Sequence, residues 1–201
     1  MELREQWAEQ AARLMADGQG LDCEAAKRKA ASDLGCTPGH DEPSCDEVEG
    51  RLREYQRLFR PGQADVLRLM RQEAAQAMRF LADFEPRLVG SLLSGTADQN
   101  SPITLHLFAD APEQVMLHLL NADVPYREGQ RSLRYRDGSL RAYPLFSFMA
   151  GNHAVDLVVM PIKAMREPPA GYGEGGAMER ASLRKVERLL AASAADEAGA
   201  C

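Results

Sequence analysis

A run of small and hydroxyl-bearing residues, Gly90-Ser91-Leu92-Leu93-Ser94-Gly95, is followed after five residues by Ser101-Pro102-Ile103-Thr104-Leu105-His106-Leu107. Gly90 permits a tight turn out of the short apolar segment 87–92. The backbone N–H groups of such a turn, with Ser91, Ser94, Gly95 and Thr96 around them, suit an anion such as phosphate. An ordinary strand-to-helix turn would use the same residues with no ligand. In the segment that follows, side chains alternate with period two, so Pro102, Thr104, His106 and Asp110 share a face. Asp156 stands in an apolar run, Ala154-Val155-Asp156-Leu157-Val158-Val159. An acid there is costly unless paired, so we expect either a ligand-binding acid or a partner on a neighbouring hairpin or histidine. Thr104, His106 and Asp156 could together bind a nucleotide or a transition metal, or do acid–base work. The other reading of His106 is a core histidine bonded to a carbonyl. His153 reads as a turn residue, and His118 carries little signal.

The spacing of Gly90-Ser91, the second glycine Gly95 and the Ser101–Leu105 segment resembles the active-site frame of the DNA polymerase beta superfamily of nucleotidyltransferases. There a Gly-Ser turn leads to Ser-Asp-Ile-Asp-Leu, and here Pro102 and Thr104 stand at the aspartate positions. The resemblance covers roughly residues 86–161. It implies a small mixed sheet, a Gly90-Ser91 contact to a triphosphate, and a third carboxylate at Asp156. Two-metal catalysis needs the missing carboxylates to hold divalent ions and neutralise developing charge. Proline offers no ligand atom, and a threonine hydroxyl is a weak one for a hard cation. A nucleotidyltransferase-like protein that binds without two-metal catalysis is therefore the leading expectation. Its ligand would be a nucleotide, another phosphorylated molecule or an RNA end. Catalytic work, if any remains, would fall to Asp156 and His106. An active transferase with a rearranged metal site, using Mg2+ with Asp156 and Asp110, is the second expectation. A protein-interaction module with residues 1–85 as its binding surface is the third.

Arg127, Arg131, Arg134, Arg136 and Arg141 gather around Asp137-Gly138, with Tyr126, Tyr135 and Tyr143 interleaved. Arginines near aromatic rings suit phosphates and bases. Alternation predicts that Arg134 and Arg136 share a face, so these two join Gly90, Ser91, Ser94, Gly95 and Thr104 as the expected phosphate-binding set. Solubility alone would also explain them.

The chain has 201 residues, 45% of them hydrophobic, and a formal net charge of −6. That charge argues against broad nonspecific nucleic-acid binding. No apolar run approaches a membrane span and no secretory signal is visible, so we expect a cytoplasmic protein with no membrane partner. The four cysteines are expected as reduced thiols in that setting. Cys23, Cys36, His40 and Cys45 could supply four zinc ligands, although their spacing matches no paired zinc knuckle.

These residues need elements to hold them. An amphipathic helix is predicted over 2–17, a second from the N-cap Asp22 to Leu34 with Gly35 closing it, and a third over 45–59 from the Ser44/Glu47 capping box. The Lys27-Arg28-Lys29 run reads as a solvated face. After Pro61-Gly62 a long helix carries Val66, Leu67, Met70, Ala74, Met78 and Leu81 at helical spacing to about Phe84. Residues 103–109 read as a buried strand and Pro112–Asn121 as a helix. Strands fill 124–160, with turns at Asp137-Gly138 and Gly151-Asn152. A last helix is predicted over 177–193. The order gives an α+β fold: a small mixed β-sheet with an N-terminal helical extension and a C-terminal helix. The expected division is a helical region, 1–85, and a nucleotidyltransferase-like domain, 86–201.

Overall fold

A computed structural model describes residues 3–17, 21–37, 39, 41–59, 62–171 and 176–198. The fold is α+β, as the sequence predicts, with seven helices and one five-stranded mixed sheet among the described residues. The chain forms two compact units, 1–63 with 171–176, and 64–170 with 177–201. The division therefore falls ahead of the fourth helix and not after residue 85.

The first unit contains α1 (Leu3–Ala16), α2 (Cys23–Leu34) and α3 (Cys45–Phe59). Its core is Trp7 packed among alanines, including Ala8, Ala11, Ala26 and Ala30, with Val48 and Leu52. Small side chains let the helices approach closely, and the Trp7 indole donates to the Lys27 carbonyl at 2.9 Å. The caps are those the sequence predicts. Asp22 accepts from the Ala25 N–H at 2.7 Å, and Gly35 takes a left-handed conformation at the end of α2. Ser44 and Glu47 satisfy each other's backbone N–H groups at the start of α3.

Two expectations fail in this unit. Of the Lys27-Arg28-Lys29 run, Arg28 and Lys29 are exposed as expected, but Lys27 is buried, and its ammonium pairs with Glu42 at 2.9 Å and Glu24 at 3.3 Å. Cys23 and Cys45 are not reduced thiols. They open α2 and α3 and close a disulfide across a Cα–Cα distance of 5.9 Å. This bond overturns the reading of Cys23, Cys36, His40 and Cys45 as zinc ligands, because sulfur bonded to sulfur offers no thiolate to a metal. Glu24 Oε1 lies 3.3 Å from Cys45 Sγ, so the same two cysteines with Glu24 are the one cluster of metal-ligating type among the described residues. Cys36 is a free thiol, while His40 and Cys201 lie outside the described residues.

The second unit is built on α4 (Gln63–Phe80), whose buried face of Met70, Ala74, Ala77 and Met78 enters the core of the sheet. The strands are β1 (Arg87–Val89), β2 (Ile103–Phe108), β3 (Arg127–Arg134), β4 (Leu140–Ala150) and β5 (His153–Met160), in the order β1-β2-β5-β4-β3. The pair β2–β5 is parallel, and the other pairs are antiparallel. A four-residue helix, α5 (Ser91–Ser94), follows β1, and α6 (Pro112–Asn121) follows β2.

Alternation gives the sheet two different faces. Ile103, Leu105, Leu107, Val155, Leu157, Val159 and Phe146 point one way and pack with α4, with Val115 and Leu119 of α6 and with Val186 of α7 (Leu183–Ala198). Thr104, His106, Phe108, Asp156, Val158 and Met160 point the other way. Phe108, Val158 and Met160 are capped there by Leu133, Tyr135, Tyr143 and Ala164. The last helix starts at Leu183, six residues later than the sequence predicts. Residues before it are extended because Ala181 exchanges backbone hydrogen bonds with Leu88 at the sheet edge. No helix among the described residues is long and apolar enough to cross a membrane.

Candidate functional site

The strand register assembles one polar row on the face opposite α4. Thr104 of β2 stands opposite Asp156 of β5, which stands opposite Ser147 of β4, which stands opposite Arg127 of β3. The Ser147 hydroxyl donates to Asp156 Oδ1 at 2.6 Å. That partner answers what an acid does in an apolar run: Asp156 is half-buried with one oxygen bonded to a neighbouring hydroxyl. Val89 at the end of β1 is opposite Thr104, so the Gly90-Ser91 turn leaves the sheet beside this row.

Gly90 has φ 78° and ψ −157°, a backbone region that favours glycine. The loop after it folds on itself. The N–H groups of Leu93 and Ser94 donate to the Gly90 carbonyl, and those of Thr96 and Ala97 donate to the Ser91 carbonyl. The Ser94 and Thr96 hydroxyls lie 2.9 Å apart, and Gly95 closes the short helix in a left-handed conformation. Ahead of β2, Asp98 Oδ1 accepts from the Asn100 N–H and the Ser101 hydroxyl, which fixes the entry of Pro102 into the strand.

His106 lies two residues along β2 from Thr104, on the same face and 1% exposed. Its Nδ1 is buried with no hydrogen bond, so the alternative of a core histidine satisfied through that atom does not hold. Burial pushes its pKa down to about 3, with the positive charges of Arg180 and Arg131 adding to the effect. A ring held neutral in this way has one donor and one acceptor nitrogen and is no store of protons near neutral pH. Arg180 itself is tied to the Ala164 carbonyl at 2.9 Å and lies over the Phe108 ring.

Of the residues expected to act together, the structure gathers Gly90, Ser91, Thr104, Asp156 and His106 at one end of the open face. Arg134 and Arg136 are not in that group. Arg134 is seven residues along β3 from Arg127, roughly 23 Å at strand rise, and opposite Leu140 on the alternate face. Arg136 lies past the strand end, in the turn, beside a cavity of about 310 Å3. Its neighbour Arg141 stacks on Tyr135 at 3.9 Å and pairs with Asp137 and Glu167, so the charge of that arginine is neutralised locally. Arg127 and Arg131 are the hairpin arginines on the open face, and the strand register is what distinguishes them. Asp110 falls beyond the end of β2 and is exposed.

Sequence reasoning also missed His153. It is not merely a turn residue: its ring is buried on the α4 side of the sheet, and Nδ1 meets Glu73 Oε2 at 2.6 Å. Nothing local announces a contact between residues 80 positions apart. Comparison with known proteins returned no matching family model, no matching curated protein and no matching solved structure.

Proposed function

We propose that the chain is a nucleotidyltransferase-like protein that binds a nucleotide or another phosphorylated molecule on the open face of its sheet and does not perform two-metal transfer. The observation that carries this reading is the row Thr104–Asp156–Ser147 beside the Gly90-Ser91 turn. Asp156 stands across from β2, where the resemblance expects the third carboxylate, while Pro102 and Thr104 leave that strand with none. One carboxylate, already accepting a hydrogen bond from Ser147, is a poor cage for two divalent ions that each need several oxygen ligands. Arg127 and Arg131 supply positive charge on the same face.

The test is thermal stabilisation by a panel of nucleoside mono-, di- and triphosphates, each with and without magnesium. Metal-independent stabilisation that is lost in Arg127→Ala is the expected result. Stabilisation only with magnesium would replace this reading with an active transferase. The double variant Pro102→Asp/Thr104→Asp is expected to gain magnesium binding by calorimetry, because two carboxylates would then share a face with Asp156. No gain would break the proposed equivalence of the strands.

A further inference from the structure

On the opposite side of the sheet, the turn between β4 and β5 abuts α4, and His153 and Glu73 meet there. The carboxylate of Glu73 takes the imidazole at Nδ1, at 2.6 Å, with both side chains largely buried. A carboxylate at Nδ1 keeps a proton on that nitrogen and leaves Nε2 with a lone pair. Nδ1 is accounted for, and Nε2 is not among the buried atoms that lack a partner. His153 lines a cavity of about 340 Å3 together with Val66, Leu69, Gln99, Asn100 and Asn152. Gly151 completes the arrangement: with φ 62° it accepts no side chain comfortably, and a Cβ there would collide with Glu73 Oε1. Glycine at this turn thus leaves room for the carboxylate beside the imidazole.

The lining has a definite chemistry. It carries three side-chain amides, two aliphatic side chains and one imidazole, and no lysine or arginine. Such a wall does not match a phosphate. It matches an uncharged molecule with a carbonyl group, whose oxygen the amide N–H groups can hold. An imidazole oriented by a carboxylate, with side-chain amides in the same lining, supplies the residue types of general-base acyl hydrolysis.

We propose that this cavity is a second site, one that hydrolyses uncharged esters with His153 as the general base. A water oxygen attacks the ester carbonyl carbon while its proton passes to Nε2. Glu73 stabilises the imidazolium, and amides of Asn100, Asn152 or Gln99 donate to the oxyanion. Collapse breaks the bond to the leaving alcohol oxygen, which takes the proton back from Nε2, so ester and water give acid and alcohol. His153 is the catalytic residue, and Glu73 is a positioning residue that acts through it. The site shares no residue with the open-face site and stands or falls independently of it.

The experiment follows p-nitrophenyl acetate, with p-nitrophenyl phosphate as the charged comparison. The wild-type chain is expected to hydrolyse the acetate and not the phosphate. His153→Gln should remove the activity, and Glu73→Gln should lower kcat at least tenfold with KM little changed, a split that simple loss of structure would not give. His118→Gln is the control and should leave the rate unchanged, because its Nε2 is bonded to the Phe80 carbonyl. Acetate hydrolysis unaffected by His153→Gln or by Glu73→Gln, or no faster than free imidazole supports, would overturn the proposal. Should either variant fold poorly, diethyl pyrocarbonate labelling of the unaltered chain decides. The ethoxycarbonyl group bonds to Nε2 as ethanol and carbon dioxide leave, and peptide mapping should find His153 modified before His118. His153 left unlabelled would equally overturn the site.

Discussion

The two faces of the sheet each bury a histidine, and the two rings have opposite surroundings. His106, on the open face, has two arginines within electrostatic reach and an Nδ1 with no partner. His153, on the α4 side, has a carboxylate at 2.6 Å. Burial, with Arg180 and Arg131 beside it, disfavours a charged imidazole at His106. The faces differ in the same sense throughout. Behind β2 and β5, Ile103, Leu105, Leu107, Val155, Leu157 and Val159 are apolar and covered, and the His153–Glu73 pair lies at the start of β5. In front, Thr104, Asp156 and Ser147 keep hydroxyls and a carboxylate half-buried at one end.

The strongest test of that contrast is in the sealed face. Leu157→Ala removes a fully buried side chain from the core shared with α4 and should cost about 2–5 kcal/mol, read by urea unfolding. Thr104→Ala, on the open face of the paired strand, should cost well under half as much. Equal losses would mean that the two faces do not differ in packing as described.

Next in size is a pH effect from His106. Its folded pKa, about 3, lies below the ordinary value of 6.5, so between those values the unfolded chain binds more protons than the folded one. Stability from this group is therefore complete above about pH 6.5 and falls as pH drops toward 3, by an amount on the order of a few kcal/mol. His106→Leu removes the titration. Its acid unfolding midpoint should move to lower pH than that of the unaltered chain, measured by circular dichroism across pH 3–7. An unchanged midpoint would show that His106 takes up its proton in the folded state.

How much of this was legible follows from the range of each signal. Asp22, Gly35, Ser44, Glu47 and Pro112 act on backbone groups within four residues, and the helices start or stop where they indicate. Asp137-Gly138 and Gly151-Asn152 set their turns for the same reason. Alternation along β2 and β5 was enough to place Thr104, His106 and Asp156 on one face. What the sequence hid depends on chain segments meeting at a distance. Lys27 looks solvated until α2 meets Glu42. Cys23 and Cys45 are 22 residues apart with no motif to pair them. Arg127 joins the face of Asp156, and Arg134 does not, only through the register of β3 on β4. The start of α7 was misplaced because an edge contact between Ala181 and Leu88 outweighs the helical preference of residues 177–182.

A smaller effect probes the capped end of the open face. The Tyr135 and Tyr143 hydroxyls lie 2.6 Å apart, and burial, followed by this bond, pushes the Tyr135 pKa up. Tyr143→Phe leaves the Tyr135 hydroxyl without that partner and should cost about 1 kcal/mol. Ultraviolet titration should show Tyr135 ionising at lower pH in the variant. No change in either quantity would mean that the pair contributes nothing to closing that end of the sheet.

The smallest expected effect bears most directly on the ligand. Ser147→Ala deletes the one hydroxyl that Asp156 holds and leaves the carboxylate half-exposed, so water can replace the lost bond. The stability cost should therefore stay below about 1 kcal/mol. The consequence for binding is larger than the consequence for folding. With Ser147 gone, Asp156 Oδ1 loses its hydroxyl partner, and the row gains less screened negative charge beside the Gly90-Ser91 turn. A phosphorylated ligand seated there should bind several-fold more weakly, while a divalent cation should bind no worse. Calorimetric titration of the same nucleotide into both chains, without magnesium, reads the difference. Unchanged affinity would place the phosphate away from Asp156 and remove the main support for a site on this face.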